Sequence, residues 1–191
     1  MNIKTFWNSI DRLNFILIFI LGLLGVLLSF TVNQNFIFIN RHTVFFILGI
    51  LIILFLSQQN NKNIRRIALF GFIILIILLL SLYFFEYEVK GSKRWLRILS
   101  FSFQPSEVVK PFFIILTSWG ISQSIKGKKY FLLVTFVSFL TLILLVLLQP
   151  DLGMTILIAS TFFCQLFIAG LPMMLVLYGL GLILSLSVLS Y

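Results

Sequence analysis

The chain is a succession of apolar runs, each about as long as a membrane is thick, broken by short clusters of Lys and Arg. Crossing a hydrocarbon core takes about 20 mostly apolar residues in helical form. Lipid offers no hydrogen bonds, so the backbone of such a run must satisfy itself, which a helix does. The pattern predicts seven spans, at about 13–32, 43–57, 67–85, 104–123, 130–148, 153–170 and 172–190. The second is short unless it starts near Phe36, and the fourth is the least apolar. Only 10% of the residues are charged and 61% are hydrophobic, with a mean hydropathy of +1.16. A soluble domain carries about 25% charged residues. The expected fold class is therefore an all-α polytopic membrane protein.

The net charge of +9 does not point to nucleic acid, because the basic residues sit between the apolar runs. The positive-inside rule and anionic headgroups account for them. With the N-terminus in the cytoplasm, the inner segments hold Lys4, Arg12, Lys62, Arg65, Arg66, Lys126, Lys128 and Lys129. The outer segments hold the smaller set of Arg41, Lys90, Lys93, Arg94 and Arg97. Four of these lie in one outer loop, 86–103, against the rule, and such a breach is where function overrides topology. The first apolar run is followed by no small-residue cleavage site and reads as a retained anchor. Cys164 is the one cysteine, which excludes an intramolecular disulfide and a multi-cysteine metal site. No Walker loop, Ser-His-Asp set or metal-ligand cluster occurs in the sequence, so no metal site is expected.

Three charged residues fall at or within spans: Glu107, Lys110 and Asp151. A charge at the centre of a span costs about 2.5–3.5 kcal/mol even on the lenient insertion scale. Each therefore needs a partner or a wet cavity. Glu107 and Lys110 are three apart, share a helix face and can pair. Pro105 suits the first turn of that helix, Gln104 would cap it, and Glu107 would sit at the positive end of its dipole. Pro111 cannot donate to the carbonyl of Glu107, which predicts a kink beside the pair. A structural ion pair and a working site both fit these facts.

In the outer loop, Lys93, Arg94 and Arg97 could grip phosphate, and Trp95 could stack on a sugar. Ordinary interfacial anchoring by the same residues is the plain alternative. Gln149-Pro150-Asp151-Leu152-Gly153 reads as a tight turn. There Asp151 either caps the next helix or faces the same cavity as the 86–110 segment. His42 reads as a solvated loop residue, Asp11-Arg12 as an interfacial pair, and Gly22, Gly25, Gly49, Gly71, Gly179 and Gly181 as places of close helix packing.

Three segments, Lys90-Gly91-Ser92-Lys93-Arg94-Trp95-Leu96, Gln104-Pro105-Ser106-Glu107-Val108-Val109-Lys110-Pro111 and Gln149-Pro150-Asp151-Leu152-Gly153, stand in this order between spans. In sequence and spacing they resemble the SEDS family of bacterial shape, elongation, division and sporulation proteins. Glu88-Val89-Lys90-Gly91, Lys110-Pro111, Asp11-Arg12 and Asn40-Arg41 look more like its FtsW branch in alphaproteobacteria than its RodA branch. The resemblance implies a peptidoglycan glycosyltransferase that polymerises lipid II on the outer face of the bacterial inner membrane and releases undecaprenyl pyrophosphate. For the FtsW branch it implies septal cell-wall synthesis, with a class B penicillin-binding transpeptidase (FtsI-like) and other division proteins as partners.

On this reading Glu107 and Lys110 support the catalytic centre, while Lys93, Arg94, Trp95, Arg97, Gln104, Pro105, Ser106, Gln149 and Asp151 contact substrate. No resident cofactor is implied beyond a divalent cation at the pyrophosphate. The family has ten spans, and its essential aspartate follows the seventh. Asp151 is not that residue. The chain is thus expected to be the N-terminal part of one SEDS membrane domain, inactive by itself. An elongation polymerase of the RodA type, a lipid II flippase and a non-catalytic division scaffold are the alternatives.

Overall fold

The computed structural model describes residues 11–32, 36–82, 95–98, 101–149 and 151–170, with further positions at Met174, 177–179, Gly181 and Ser185. In chain order the elements are α1 (Arg12–Val32), α2 (Phe36–Ser57), α3 (Asn61–Ser81), β1 (Leu96–Ile98), β2 (Phe101–Phe103), α4 (Pro105–Ile125), α5 (Tyr130–Leu148) and α6 (Leu152–Ile168). Among the described residues, four stretches are long and apolar enough to cross a membrane: Arg12–Thr31, Asn61–Ser81, Pro105–Ile125 and Tyr130–Leu148. His42–Ser57 and Leu152–Ile168 are shorter apolar helices. At 1.5 Å per residue, the 17 residues of α6 reach about 25 Å. Of the expected span 172–190, the described positions are helical and the rest lies outside the described residues.

Two helices begin earlier than the apolar runs suggest. α2 starts at Phe36, the earlier of the two starts that the sequence offers, and α3 at Asn61 rather than 67. Lys and Arg are good helix formers, so a helix can extend past its apolar stretch through Lys62, Arg65 and Arg66 while their stems carry the charges outward. The early start of α2 also corrects the reading of His42. It is a helical residue opposite Gly25, whose Cβ, if added, would lie 3.5 Å from the His42 Nε2.

The chain forms two compact units, Met1–Ile64 and Arg65–Tyr191. In the first, α1 packs on α2, with Phe46 set directly against Gly22 and its ring 5.7 Å from that of Phe19. Asp11 caps α1: its Oδ1 accepts from the backbone N–H of Leu13 at 3.2 Å and of Asn14 at 3.3 Å. The remaining surface of α1 is almost wholly exposed Leu, Ile and Phe, which suits lipid and not water.

In the second unit α4 packs most extensively on α5 and also on α6, and α5 packs on α6. Phe113 of α4 occupies the centre of its core. Its ring lies 6.3 Å from Phe72 of α3, 6.4 Å from Phe139 of α5 and 6.1 Å from Phe162 of α6, and the last two stack at 4.1 Å. Val109, Leu142, Val146, Ile158 and Ala159 complete the buried interior. Phe112 of α4 closes on Gly71 of α3, and Thr135 of α5 on Gly120 of α4, so one glycine at each seam admits the neighbour's side chain. Gly49 and Gly181, expected to serve similarly, meet nothing within 4 Å among the described residues.

The α4–α5 connection has a local cause. Gly127, at φ 91°, lets its N–H donate to Ser124 O while Lys128 N–H reaches Gln123 O, which closes the helix in a Schellman turn. The expectation of a helical protein thus holds with one addition. Within the loop expected at 86–103, β1 and β2 pair antiparallel, Leu96 with Phe103, Arg97 with Ser102 and Ile98 with Phe101. Leu96 packs against the core beneath.

Candidate functional site

The hairpin delivers the chain to the N-terminus of α4, and the site is built there. Pro105 takes the first helical position, where its missing N–H is not needed. Gln104 precedes it in extended backbone (φ −108°, ψ 105°) and accepts the Glu107 N–H at its carbonyl, 3.1 Å. The expected side-chain cap is not made. Instead the Gln104 amide turns sideways: its Nε2 donates to Ser106 Oγ at 3.1 Å and lies 3.5 Å from Asp151 Oδ2. Ser106 and Pro105 are fully buried beneath it.

Asp151 is 9% exposed and has two functions at once. Its Oδ1 caps α6 by accepting the Met154 N–H at 3.2 Å. Its Oδ2 is the one turned to Gln104. Of the two readings left open by the sequence, the helix cap is made, and the same carboxylate also reaches Gln104 of the 86–110 segment. Thr155 Oγ1 donates to the Asp151 carbonyl at 2.8 Å, and Gln149 is buried at 3% exposure on the other side of the turn. Residues 47 apart in sequence thus join the starts of two helices through an amide and a carboxylate.

Glu107 and Lys110 pair as expected, Lys110 Nζ donating to Glu107 Oε2 at 2.5 Å. They are not buried by this chain: the side chains are 52% and 21% exposed. The reason is helical phase. Ser106, Val109, Phe113 and Thr117 form the face of α4 turned to the core, and Glu107 lies about 100° around the helix from Ser106. The carboxylate sits in the first turn, where the helix dipole favours it. α4 runs without a break through Pro111, which still cannot donate to the Glu107 carbonyl.

Of the basic loop, Lys93 and Arg94 lie outside the described residues. Trp95 is 37% exposed just ahead of β1, and Arg97 holds the central position of that strand. Sequence reasoning missed a second polar link, in the middle of the bundle. Gln165 of α6 accepts from Thr117 Oγ1 at 2.7 Å and donates from Nε2 to the Ile114 carbonyl at 3.1 Å. The available signal was a lone amide inside an apolar run, a residue type that bonds across membrane helices. Among the described residues no group of three or more His, Cys, Asp or Glu gathers as a metal site.

Membrane-length apolar helices around an aromatic core, with polar residues collected at one helix-end junction, define a polytopic α-helical membrane protein. The chain belongs to the FtsW–RodA–SpoVE family of cell cycle proteins, whose profile matches residues 4–191. It is 32% identical over 186 residues to a Caulobacter vibrioides protein named probable peptidoglycan glycosyltransferase FtsW, covering 92% of this chain and 47% of that one. It is 30% identical over 183 residues to the Escherichia coli peptidoglycan glycosyltransferase MrdB, covering 92% and 48%. The fold resembles that of the Thermus thermophilus rod shape determining protein RodA, with a TM-score of 0.73 at 21% identity over 91% of this chain and 58% of that one. A chain of a peptidoglycan synthase complex that coordinates polymerisation and crosslinking gives 0.71 at 20% identity, covering 88% and 51%. The chain spans about half the length of the curated relatives it matches.

Proposed function

We propose that this chain forms the N-terminal part of a peptidoglycan glycosyltransferase that polymerises lipid II on the outer face of the bacterial inner membrane in septal wall synthesis. The observation that carries the reading is the junction at the head of α4. Gln104 ties the 104–111 segment to Asp151, and the Glu107–Lys110 pair stands on the side of α4 that this chain leaves open. Support for the chemistry comes from the relatives' names, which are those of peptidoglycan glycosyltransferases.

In this reading Arg94 and its neighbours hold the pyrophosphate and stabilise the departing negative charge. Gln104 presents the floor on which substrate rests, and the buried Pro105, Ser106, Gln149 and Asp151 hold it rigid from beneath. Glu107 and Lys110 orient each other and an acidic general base supplied by a later segment, which would take the proton from the acceptor sugar hydroxyl. A divalent cation accompanying the pyrophosphate belongs to the same proposal. The N-terminus is cytoplasmic, and a class B penicillin-binding transpeptidase is the partner.

The test is reconstitution, in vesicles with labelled lipid II, of the chain extended to its relatives' length. Glycan polymer without movement of lipid II between leaflets is expected. Lipid translocation without polymer would favour the flippase reading and overturn this one. Polymerisation that depends on an elongation transpeptidase rather than a septal one would overturn the septal assignment alone.

A further inference from the structure

At the other end of α4 a cleft of about 100 Å³ opens between α3, α4 and α5. Leu69 and Phe72 of α3, Leu116 of α4, and Phe131 and Val134 of α5 make its walls apolar. The hydroxyl protons of Thr135 and Ser138, which also line it, are held by their own helix. Thr135 donates to Phe131 O at 2.7 Å, and Ser138 to Val134 O at 2.9 Å. The hydroxyl oxygens of Thr117, Thr135 and Ser138 can still accept, but the exposed lining is almost wholly apolar, which does not favour a stable water. A folded small molecule needs about 300 Å³ or more. The cleft therefore suits a short length of hydrocarbon chain.

The Trp119 indole forms part of its lining. Trp119 Nε1 is buried and has no acceptor among the described residues. The indole is held in place by an edge contact with Phe131 at 4.9 Å and by the Arg65 guanidinium 5.5 Å from its centre. Arg65 and Arg66 stand in the opening turns of α3, and Lys126, Lys128 and Lys129 in the α4–α5 turn at the same end of the bundle. An apolar slot below and a row of cations above is the complement of one molecule class.

We infer that the cleft holds an acyl chain of an anionic phospholipid beside the Trp119 indole, with its phosphate at Arg65. The charge on the rim selects the anionic headgroup over a zwitterionic one. The slot makes the contact specific rather than a diffuse attraction to the basic surface. Its occupancy does not depend on the glycosyltransferase reading, because the readout is lipid contact and not polymer.

The test uses the chain with Trp7→Phe and Trp95→Phe, which leaves Trp119 as the sole tryptophan. It is reconstituted in phosphatidylcholine vesicles and titrated with phosphatidylglycerol, or with phosphatidylcholine, carrying the same brominated acyl chains. Bromo-phosphatidylglycerol should quench Trp119 about fivefold more effectively, the preference expected of one basic residue at a membrane surface. Arg65→Gln should bring that ratio to about one. Ser138→Phe, which fills the slot and leaves the rim intact, should lower quenching by both lipids. Equal quenching by the two lipids in the unaltered cleft would overturn the inference, as would a preference that survives Arg65→Gln. Quenching unchanged by Ser138→Phe would mean surface attraction only and would overturn it as well. The two variants act at separate ends of the cleft, so failure of one to fold leaves the other to decide.

Discussion

Asp151→Ala and Asp151→Asn should differ sharply in stability, and the difference isolates the junction between α4 and α6. Ala removes the acceptor for the Met154 N–H, a cap worth about 1 kcal/mol. It also removes the carboxylate beside Gln104 Nε2. That contact is long at 3.5 Å, so its loss belongs at the low end of the range for an orphaned buried group, about 1 kcal/mol. The sum is about 2 kcal/mol. Asn keeps an oxygen for the cap, and Asn caps as well as Asp does. Its amide N–H₂ would then face Gln104, but a half-turn of the Gln104 amide presents an oxygen instead, and the Ser106 hydroxyl can change from acceptor to donor. Asp151→Asn should therefore cost less than about 1 kcal/mol, and Asp151→Asn with Gln104→Ala should lose most of that accommodation. Unfolding free energies in mixed micelles measure all three. Equal losses for Ala and Asn would refute the account, because the negative charge and not the hydrogen-bond geometry would then be what the site requires.

Gly120→Ala would bring a Cβ into hard contact with Thr135 Oγ1, while the next nearest atoms are at an ordinary 3.5 Å. It should cost about 1–3 kcal/mol, and Thr135→Ala in the same chain should recover most of it in the same unfolding assay. Gln165→Leu and Thr117→Val should show a coupling of about 0.6 kcal/mol in a double-mutant cycle, the average for hydrogen bonds across membrane helices. A coupling near zero would mean that the link does not hold α4 to α6. Lys110→Ala should leave membrane insertion intact, as read by protease protection, because the pair is an exposed i,i+3 contact worth a few tenths of a kcal/mol.

Much of this architecture was legible because lipid restricts the backbone to helices, so long apolar runs translate directly into α1 and α3 to α6. The exceptions have physical reasons. Arg41 and His42 interrupt the apolar run of α2, yet the helix continues through them to Phe36, since helix geometry depends on backbone bonding and not on hydropathy. The β1–β2 hairpin falls where the charge pattern predicts a loop, although Leu96-Arg97-Ile98 and Phe101-Ser102-Phe103 each alternate apolar and polar residues, the period of a strand. At the site, the pairing of Glu107 with Lys110 follows from spacing alone. The direction of the pair does not, because whether a helix face meets core or open surface depends on which neighbours pack on it. Likewise the Gln104 amide bonds Ser106 Oγ and Asp151 instead of capping the backbone of α4, and Asp151 is placed nearby only by the packing of α4 and α6.

Polymerisation of lipid II by Glu107→Ala, in the chain extended to its relatives' length, bears most directly on the function proposed. The side chain is half exposed and makes no core contact that the fold depends on, so insertion, thermal stability and helix content should match the unaltered protein. Polymer on a gel should be absent. Normal polymer from a properly inserted Glu107→Ala protein would contradict the account and return the pair to a structural contact at the membrane boundary.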